Sequence, residues 1–471
     1  MSHDALLDAV KKYGQEHVHD YWSRLTPAEQ DQLAAQLGTI DLALLQTLTE
    51  ELVKGKADPI AAGQAKMEPA PVIALPSSPY EKNEQDVARL AGEAALKAGR
   101  IGFFLVAGGQ GTRLGISGPK GIFEVGPVTK RSLFQIHSEK ILALRRKYKA
   151  AMPWVIMTSD ANDAATRAYF KEKNFFGLGE DTIKFCSQEN MPAVHKHGKI
   201  LFGTKSSLAL SPNGHGGAIK ALHDSGACAW LRKQVVDTLS YFQVDNALVR
   251  IGDPVFIGYH LQKKCEMSSK VVRKRDWKEK VGVVGFVNNK LGVIEYSDMP
   301  EAMAKEEMRD GSLLWWAGSI AIHLLDLGFI ERLNQGGFKL PFHRAEKAVP
   351  CVNADGTPVP CKPGEKNGIK FETFIFDALP MAKASITLET ERSMDFAPVK
   401  NAEGEDSPAT CRAMMTALYA KWLDAAGKKV PRNAGGTPAL NIEISPLTSL
   451  DGEGLKEFNI PEIKPGVDLV L

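Results

Sequence analysis

The chain lacks the features that would send it through a membrane or onto a polyanion. Nowhere do about eighteen apolar residues run without interruption, the length a membrane-crossing helix needs. Residues 1–20 mix charges where a secretory leader would have an apolar stretch. A cytoplasmic protein is therefore expected. Fifty-eight basic against 56 acidic residues leave a formal charge of +2, too little for a bulk field that would gather nucleic acid or anionic lipid. Neither is expected as a partner, and any phosphate the protein binds must be held locally. The six cysteines, Cys186, Cys228, Cys265, Cys351, Cys361 and Cys411, include no C-x-x-C pair and have no His at zinc-like spacing. Reduced structural thiols are expected. Cys351 and Cys361 flank a Pro/Gly-rich loop, but a bridge there would be unusual in a reducing compartment. Internal repeats and low-complexity tracts are also missing.

What is present is an ordinary globular composition, 44% hydrophobic and 24% charged, over 471 residues. That length favours two or three domains. Residues 1 to about 55 carry apolar spacing suited to amphipathic helices (Leu6, Leu7, Val10; Leu33, Leu37, Leu42, Leu45), with Thr26-Pro27 as a helix start. Ala57 to Tyr80, with five prolines, reads as an extended strap, and a helix is expected over Glu84 to Ala98. From Ile101 short apolar strands alternate with helices. Strands are expected at 101–106, 153–158, 182–187, 239–244 and 247–251, and helices at 132–148, 161–173 and 217–225. This grammar predicts an α/β fold with a mainly parallel sheet, whose ligands sit at the carboxyl ends of the strands. Beyond about Lys270 the pattern is mixed, with β-rich runs at 281–287 and 293–296, a helical region near 324–333 and a helix over 410–425 after a polar break. The expected domains are 1–98, 99–392 and 393–471.

Directly after the first strand comes Leu105-Val106-Ala107-Gly108-Gly109-Gln110-Gly111-Thr112-Arg113-Leu114, then Gly118-Pro119-Lys120-Gly121. Glycines there let backbone N–H groups turn inward and approach phosphate oxygens without Cβ interference. Arg113 can grip phosphate oxygens in a bidentate way, and Lys120 adds a mobile point charge. The dinucleotide fingerprint is the nearest rival, but it opens a helix at once and wants an acid about twenty residues on. Here Arg113 and a Pro-Lys pair intervene, and the helix waits until about Ser132. A Walker loop is excluded, because no Gly-Lys-Ser/Thr occurs in the loop.

These residues resemble the eukaryotic-type UDP-sugar pyrophosphorylase family, most closely its UDP-N-acetylhexosamine branch. The family loop has the form Leu-x-x-Gly-Gly-x-Gly-Thr-Arg-Leu followed by Pro-Lys, and the likeness continues in family order. It runs through Leu133-Phe134-Gln135-Ile136, Gln188 with Met191-Pro192, Asn213-Gly214-His215-Gly216-Gly217 and Val244-Asp245-Asn246 to Val281-Gly282-Val283-Val284. Further on it takes in Glu295-Tyr296-Ser297, Asn367-Gly368-Ile369-Lys370 and Val399-Lys400-Asn401-Ala402, covering roughly residues 80 to 460. The resemblance implies a Rossmann-like nucleotidyltransferase core with a mainly parallel mixed sheet, plus small N-terminal helical and C-terminal domains. It also implies Mg²⁺-dependent exchange of UTP and a sugar 1-phosphate for UDP-sugar and pyrophosphate.

In-line attack by a sugar phosphate on the α-phosphorus brings two anions together, so the protein must mainly position groups and neutralise charge. By resemblance, Arg113, Lys120 and Lys400 are the catalytic cations, and Asp245 is the magnesium ligand. Gly108, Gly109, Gly111, Thr112, Gln188, Asn213, Gly214, His215, Gly216 and Asp245 meet the nucleotide. Gly282, Glu295, Tyr296, Ser319 and Phe371 meet the sugar. The acceptor that the resemblance implies first is N-acetylglucosamine 1-phosphate.

One segment departs from the branch. Where the branch carries Asn-Ala-Gly-Asn against the sugar, this chain reads Trp316-Ala317-Gly318-Ser319. Ser319 keeps a hydroxyl of shorter reach and Trp316 is open to a role in the pocket wall or the core, so glucose or galactose 1-phosphate stand as alternatives. A UDP-sugar-binding regulator without chemistry would have no use for four charged residues in this arrangement. A dehydrogenase would need the missing acid. His195 and His197 read as a solvated hairpin, Trp315 as core, and Lys130-Arg131 as fastening the loop before the helix.

Overall fold

The computed structural model describes residues 2–55, 65–338, 340–362 and 364–471. The backbone forms two compact units, each assembled from separated stretches of chain. The first gathers Met1–Gln64, Gln188–Ala218 and Lys339–Asp377. Of its amino-terminal helices, His3–Lys12, Val18–Trp22, Pro27–Gly38 and Leu42–Leu48, all but the second start where the sequence supplies a cap. Ser2 caps the first, and Thr26 with Glu29 forms a reciprocal capping box on the third. Leu6, Val10, Leu33, Leu37 and Leu45 turn inward and share one core with Val194, Phe202, Ile369 and Phe371. A hairpin of Phe342–Lys347 with Gly368–Thr373 and a pair of Asn190–Pro192 with Leu210–Pro212 supply the other wall. The Gln15 side chain ties the layers, donating to Gly198 O at 3.0 Å and accepting from Ile200 N at 2.9 Å.

The second unit comprises Ala65–Ser187, Ile219–Phe338 and Ala378–Leu471. Its ten-stranded sheet contains β1 (Met67–Pro69), β2 (Ile101–Val106), β3 (Trp154–Thr158), β4 (Ile183–Ser187) and β5 (Thr238–Gln243). It continues with β6 (Met267–Arg273), β7 (Val283–Val287), β8 (Lys290–Ile294), β9 (Ala317–Asp326) and β10 (Thr387–Glu389). The order is β1-β7-β9-β5-β2-β3-β4, with β8 paired to β7 and β6 paired to both β9 and β10. Strands β5, β2, β3 and β4 run parallel, as their alternation with helices predicts, and β5, β2 and β3 are almost wholly buried while β4 at the edge is only partly so. β9 turns antiparallel against β5. Helices α1 (Pro79–Lys97), α2 (Leu133–Tyr148), α3 (Asp163–Glu172), α4 (Pro254–Gln262) and α5 (Pro408–Ala425) belong to the same unit. Helices α1 and α4 cross so closely that a Cβ on Gly92 would lie 1.9 Å from Pro254 O, and one on Gly258 would lie 1.7 Å from Ala88 O. Only glycine fits at either crossing point.

The expected strap falls partly outside the described residues, at 57–64; the rest is extended and contributes β1. Helix α1 begins five residues earlier than the apolar pattern suggests, because Ser78 and Glu81 form a capping box. Two expectations are corrected. Residues 247–251 form no strand. The amine of Lys140 takes the carbonyls of Ala247 and Val249 at 2.6 and 2.8 Å, and Asp395 takes the N–H of Arg250 at 2.6 Å. Side chains thus satisfy backbone groups that a strand would pair with a neighbour. The helical region near 324–333 is half strand: β9 runs to Asp326, whose carboxylate then caps Leu327–Asn334 through Phe329 N at 2.9 Å. All six thiols are free. Among the described residues no helix is long and apolar enough to cross a membrane.

A buried charge cluster joins the carboxyl side of the sheet to the segment after β10. Lys270 on β6, 1% exposed, lies 2.7 Å from Asp253 and 2.6 Å from Asp395, themselves 5% and 0% exposed. Asp395 also accepts from Thr390 Oγ1 at 2.7 Å, and its backbone carbonyl accepts from Asn246 Nδ2 at 2.7 Å. The Lys270 and Arg250 charges hold the Asp253 carboxyl far below the usual carboxylate range, despite burial that opposes this. Removing the ammonium strands two buried carboxylates. Lys270→Met is expected to lower unfolding free energy by about 3–5 kcal/mol, read from urea titration.

Candidate functional site

The second unit brings three strand ends together. β2 delivers the glycine loop, β3 delivers Ser159 to Asn162, and β5 delivers Asp245. Side chains after β3 hold the loop by its carbonyls. Asn162 Nδ2 donates to Ala107 O at 2.9 Å and to Gly109 O at 3.2 Å, and Ser159 Oγ donates to Gly108 O at 2.8 Å. Asn162 Oδ1 accepts from Ser159 N at 2.9 Å, which fixes the amide's own orientation. With three consecutive carbonyls engaged on one side, the direction of the intervening N–H groups is set before any anion arrives. Sequence reasoning missed both residues. The available signal was a Ser-Asp-Ala-Asn run at the carboxyl end of the strand neighbouring β2.

The loop then folds back on itself, with Gly111 N bonded to Gly118 O at 2.9 Å and Lys120 N bonded to Gly109 O at 3.0 Å. Its left-handed glycines are Gly115 and Gly118, with φ of +77° and +112°. Gly108, Gly109 and Gly111 are not left-handed. Gly111 is needed for space, because a Cβ there would meet Ile116 Cγ1 at 2.3 Å. Thr112 and Arg113 sit in a short 3₁₀ turn, Thr112–Leu114, and both are exposed. Arg113 makes no ion pair or side-chain hydrogen bond among the described residues.

Lys120 points to Asp245, Nζ to Oδ2 3.5 Å, with both side chains largely sheltered. Asp245 is held by the chain on either side of it. Val244 N donates to Val106 O, and the carbonyl of Val244 receives His137 Nε2 at 3.0 Å. Asp245 O accepts from Val399 N at 2.9 Å, and Asn246 Oδ1 accepts from Ala397 N at 2.9 Å. These bonds lash residues 397–399 to the end of β5 and so place Lys400. Its amine sits 3.7 Å from Asp406 and 5.6 Å from the centre of the Phe396 ring.

Asp245 and Lys400 open into a cleft of about 120 Å³ that Lys280, Gly282, Ser319 and Ala321 also line. The cleft lies where β9 is bulged. Its register with β6 slips between the Ser269 and Val271 pairs, and Ala321 takes a left-handed φ of +53° there. Bulges of this kind re-aim side chains beside active sites. Ser319 N bonds Gly282 O at 2.8 Å, and a Cβ on Gly282 would come 3.1 Å from Glu295 Oε1, so three of the expected sugar contacts are brought together. Tyr296 is 47% exposed. Trp316 does not line the cleft; its ring lies under the Arg273 guanidinium at 4.3 Å, and Arg273 in turn pairs with Glu389. Trp315 is core, 2% exposed. Arg131 fastens the loop before α2, bonding Glu139 at 3.1 Å and Glu443 at 2.5 Å.

The first unit holds Gln188, Asn213, Gly214, His215, Gly216 and Phe371. There the glycine turn lies flat on strand 368–373. Thr373 N donates to Asn213 O at 2.7 Å, and a Cβ on Gly214 would strike Thr373 O at 2.4 Å. His215 accepts from Ile375 N at 3.2 Å through Nδ1, and burial with nearby His343 lowers its pKa to about 4. Asn213 Oδ1 is buried without a hydrogen-bond partner. Phe371, expected at the sugar, is corrected: it is fully buried in the first unit's core, with no exposed face for a ligand.

Among the described residues no three His, Cys, Asp or Glu side chains gather as a metal cluster. Asp245 stands as a single sheltered carboxylate. A magnesium ion bound mainly by phosphate oxygens needs one or two such groups, so this donor set fits it.

Two predictions follow from this geometry. Asn162→Ala frees the carbonyls of Ala107 and Gly109, and should lower stability by about 1–3 kcal/mol in urea titration while reducing turnover disproportionately. His137, wholly buried, has its pKa lowered to about 3 by burial and by Lys140. Between its ordinary 6.5 and 3 the unfolded chain binds a proton that the folded chain refuses, so stability falls as pH drops through that window. His137→Gln should flatten that acid-side slope by up to one proton, measured by urea unfolding across the same range.

A family model described as UTP–glucose-1-phosphate uridylyltransferase matches residues 63–431. The chain is 35% identical to UDP-N-acetylglucosamine diphosphorylase 2 of Arabidopsis thaliana, over 96% of this chain and 91% of that one. It is 36% identical to UDP-N-acetylglucosamine pyrophosphorylase of Saccharomyces cerevisiae, over 94% and 95%. In structure it is similar to the uridine diphosphate N-acetylglucosamine pyrophosphorylase from Trypanosoma brucei, with a TM-score of 0.82 at 26% identity, covering 100% of this chain and 98% of that one.

Proposed function

The chain belongs to the UTP–glucose-1-phosphate uridylyltransferase family, and from that premise we propose that it converts UTP and N-acetylglucosamine 1-phosphate to UDP-N-acetylglucosamine and pyrophosphate. The observation that carries this reading is the convergence of Lys120, Asp245 and Lys400 around the ends of β2 and β5.

A phosphate oxygen of the acceptor attacks the α-phosphorus of UTP, and the bond to the β-phosphate bridging oxygen breaks. Both partners are anionic, so the protein's contribution is to hold them in line and offset their repulsion. Arg113, exposed on its turn, grips the leaving pyrophosphate in a bidentate way, and Lys120 neutralises charge on the same side. The glycine-loop N–H groups, including those of Gly108, Gly109 and Gly111, meet phosphate oxygens in directions that Ser159 and Asn162 have already set. Lys400 reaches the transferred phosphate from the cleft side. Asp245 would hold Mg²⁺, which when bound shields the triphosphate charge. Its weak bond to Lys120 leaves acceptor capacity for the ion.

Gln188 and the turn at Asn213 to Gly216 serve the nucleoside. A buried Asn213 oxygen without a partner suits an N–H donor of a base. Gly282, Glu295 and Ser319 serve the sugar, with Tyr296 at its exposed rim. The relatives' names favour the N-acetyl sugar. Ser319 favours a second reading, glucose or galactose 1-phosphate, because its hydroxyl reaches less far towards an acetamido group.

Pyrophosphate release with UTP, Mg²⁺ and the four 1-phosphates of N-acetylglucosamine, N-acetylgalactosamine, glucose and galactose tests both readings. The highest kcat/KM is expected with N-acetylglucosamine 1-phosphate, and a preference for glucose 1-phosphate selects the second. Turnover with none of the four overturns uridylyl transfer. Lys120→Ala should lower kcat by roughly 10²–10³, as removal of other transition-state donors does.

A further inference from the structure

Lys280 has no counterpart among the charged residues assigned to the reaction, yet it lines the cleft that Asp245 and Lys400 open into. Its backbone is held firmly. Val281 N closes a tight turn onto Glu279 O at 2.8 Å, and the Glu279 carboxylate accepts from Arg275 N at 2.8 Å and from Arg392 at 2.9 Å. Two residues further on, Gly282 O receives Ser319 N. The turn is therefore anchored from both flanks while the Lys280 side chain stays exposed. The nearest acid in sequence, Glu279, is already engaged by Arg275 and Arg392. Lys280 itself makes no ion pair or side-chain hydrogen bond among the described residues.

The same cleft is lined by Lys400, loosely paired with Asp406 at 3.7 Å, and by Asp245, shared with Lys120. Of the two amines that line the cleft, Lys400 has a carboxylate partner in Asp406, and Lys280 has none among the described residues. A neutral sugar ring makes no use of that uncommitted charge. A phosphate monoester dianion does.

We propose that Lys280 binds the phosphate of the sugar 1-phosphate acceptor, as a second cation of the cleft that Lys400 lines. This rests on the uridylyl-transfer reading and deepens it by naming a residue that distinguishes the acceptor's phosphate from its sugar ring. Lys280 brings the acceptor dianion into the cleft, and Lys400 remains with the transferred α-phosphate of UTP. Because a mobile ammonium binds as a point charge, arginine can replace it in large part, whereas a neutral amide cannot.

The experiment compares wild type, Lys280→Gln and Lys280→Arg in steady-state pyrophosphate release, varying the sugar 1-phosphate at saturating UTP and then UTP at saturating acceptor. For Lys280→Gln, the KM for sugar 1-phosphate should rise about tenfold, the loss of one charge-assisted bond, with the KM for UTP unchanged. Lys280→Arg should restore most of the affinity. Inhibition by the free, unphosphorylated sugar should be the same in all three proteins. Active wild type with an unchanged acceptor KM in Lys280→Gln overturns the Lys280 assignment alone. Equal weakening of the free sugar, or of UTP, also overturns it by showing a general distortion of the cleft. A wild-type protein that releases no pyrophosphate with any acceptor overturns the uridylyl-transfer reading, and this assignment with it.

Discussion

The second unit depends on one buried ammonium. Lys270 sits between Asp253 and Asp395 in surroundings almost without water, and the three charges belong to β6, the amino end of α4 and the segment after β10. Desolvating three ions is costly, and the attraction between them offsets that cost only while all are present and fully hydrogen-bonded. Their value is therefore positional. Asp395 is bonded to Arg250 N and Thr390 Oγ1, and its carbonyl to Asn246, so the cluster sets where residues 395–400 run past the end of β5. Lys400 is placed by a lysine it never touches.

A comparable division of labour governs the glycine loop. Flexible residues make a poor anion site unless something else specifies their conformation, and here the specification comes from the neighbouring strand through Ser159 and Asn162. Parallel pairing of β2 with β3 puts those side chains level with the loop's first carbonyls. The register of the sheet thus decides the direction of the loop's N–H groups. A one-residue slip would send Ser159 and its neighbours to the opposite face.

The parallel core was legible because its strands are short apolar runs separated by helices, one of them starting at the readable cap Ser132. The charged loop was legible because Gly-Gly-x-Gly, Arg113 and Lys120 are local in sequence. What was not legible depends on contacts far apart along the chain. Residues 247–251 have a strand's composition, but their backbone partners are the side chains of Lys140 and Asp395, more than a hundred residues away on either side. Trp316 looked like a possible pocket residue because nothing local says which face of a bulged strand it occupies; Arg273 and the slip at Ser269 to Val271 decide it. Phe371 alternates inward on its strand, and period-two spacing alone does not tell which side of that strand is the core. Ser159, Asn162 and Lys280 carry no motif of their own. They become functional candidates only once the sheet and the cleft exist.

A chain with a formal charge of only +2 must create its phosphate-binding field by distributing charges, and the ion pairs show how. Cations that build the fold are committed at short range: Lys270 at 2.6 and 2.7 Å, Arg131 at 2.5 and 3.1 Å, Arg392 at 2.9 Å. Cations facing the site are held loosely or not at all: Lys120 at 3.5 Å, Lys400 at 3.7 Å, and Arg113 and Lys280 without an ion pair among the described residues. A committed cation would have to break a charge-assisted bond before meeting a phosphate and would return little net energy. An uncommitted one exchanges only water. Acids that would quench the site, such as Glu279 and Asp395, are tied down by other partners, so the local field survives near-neutrality of the whole.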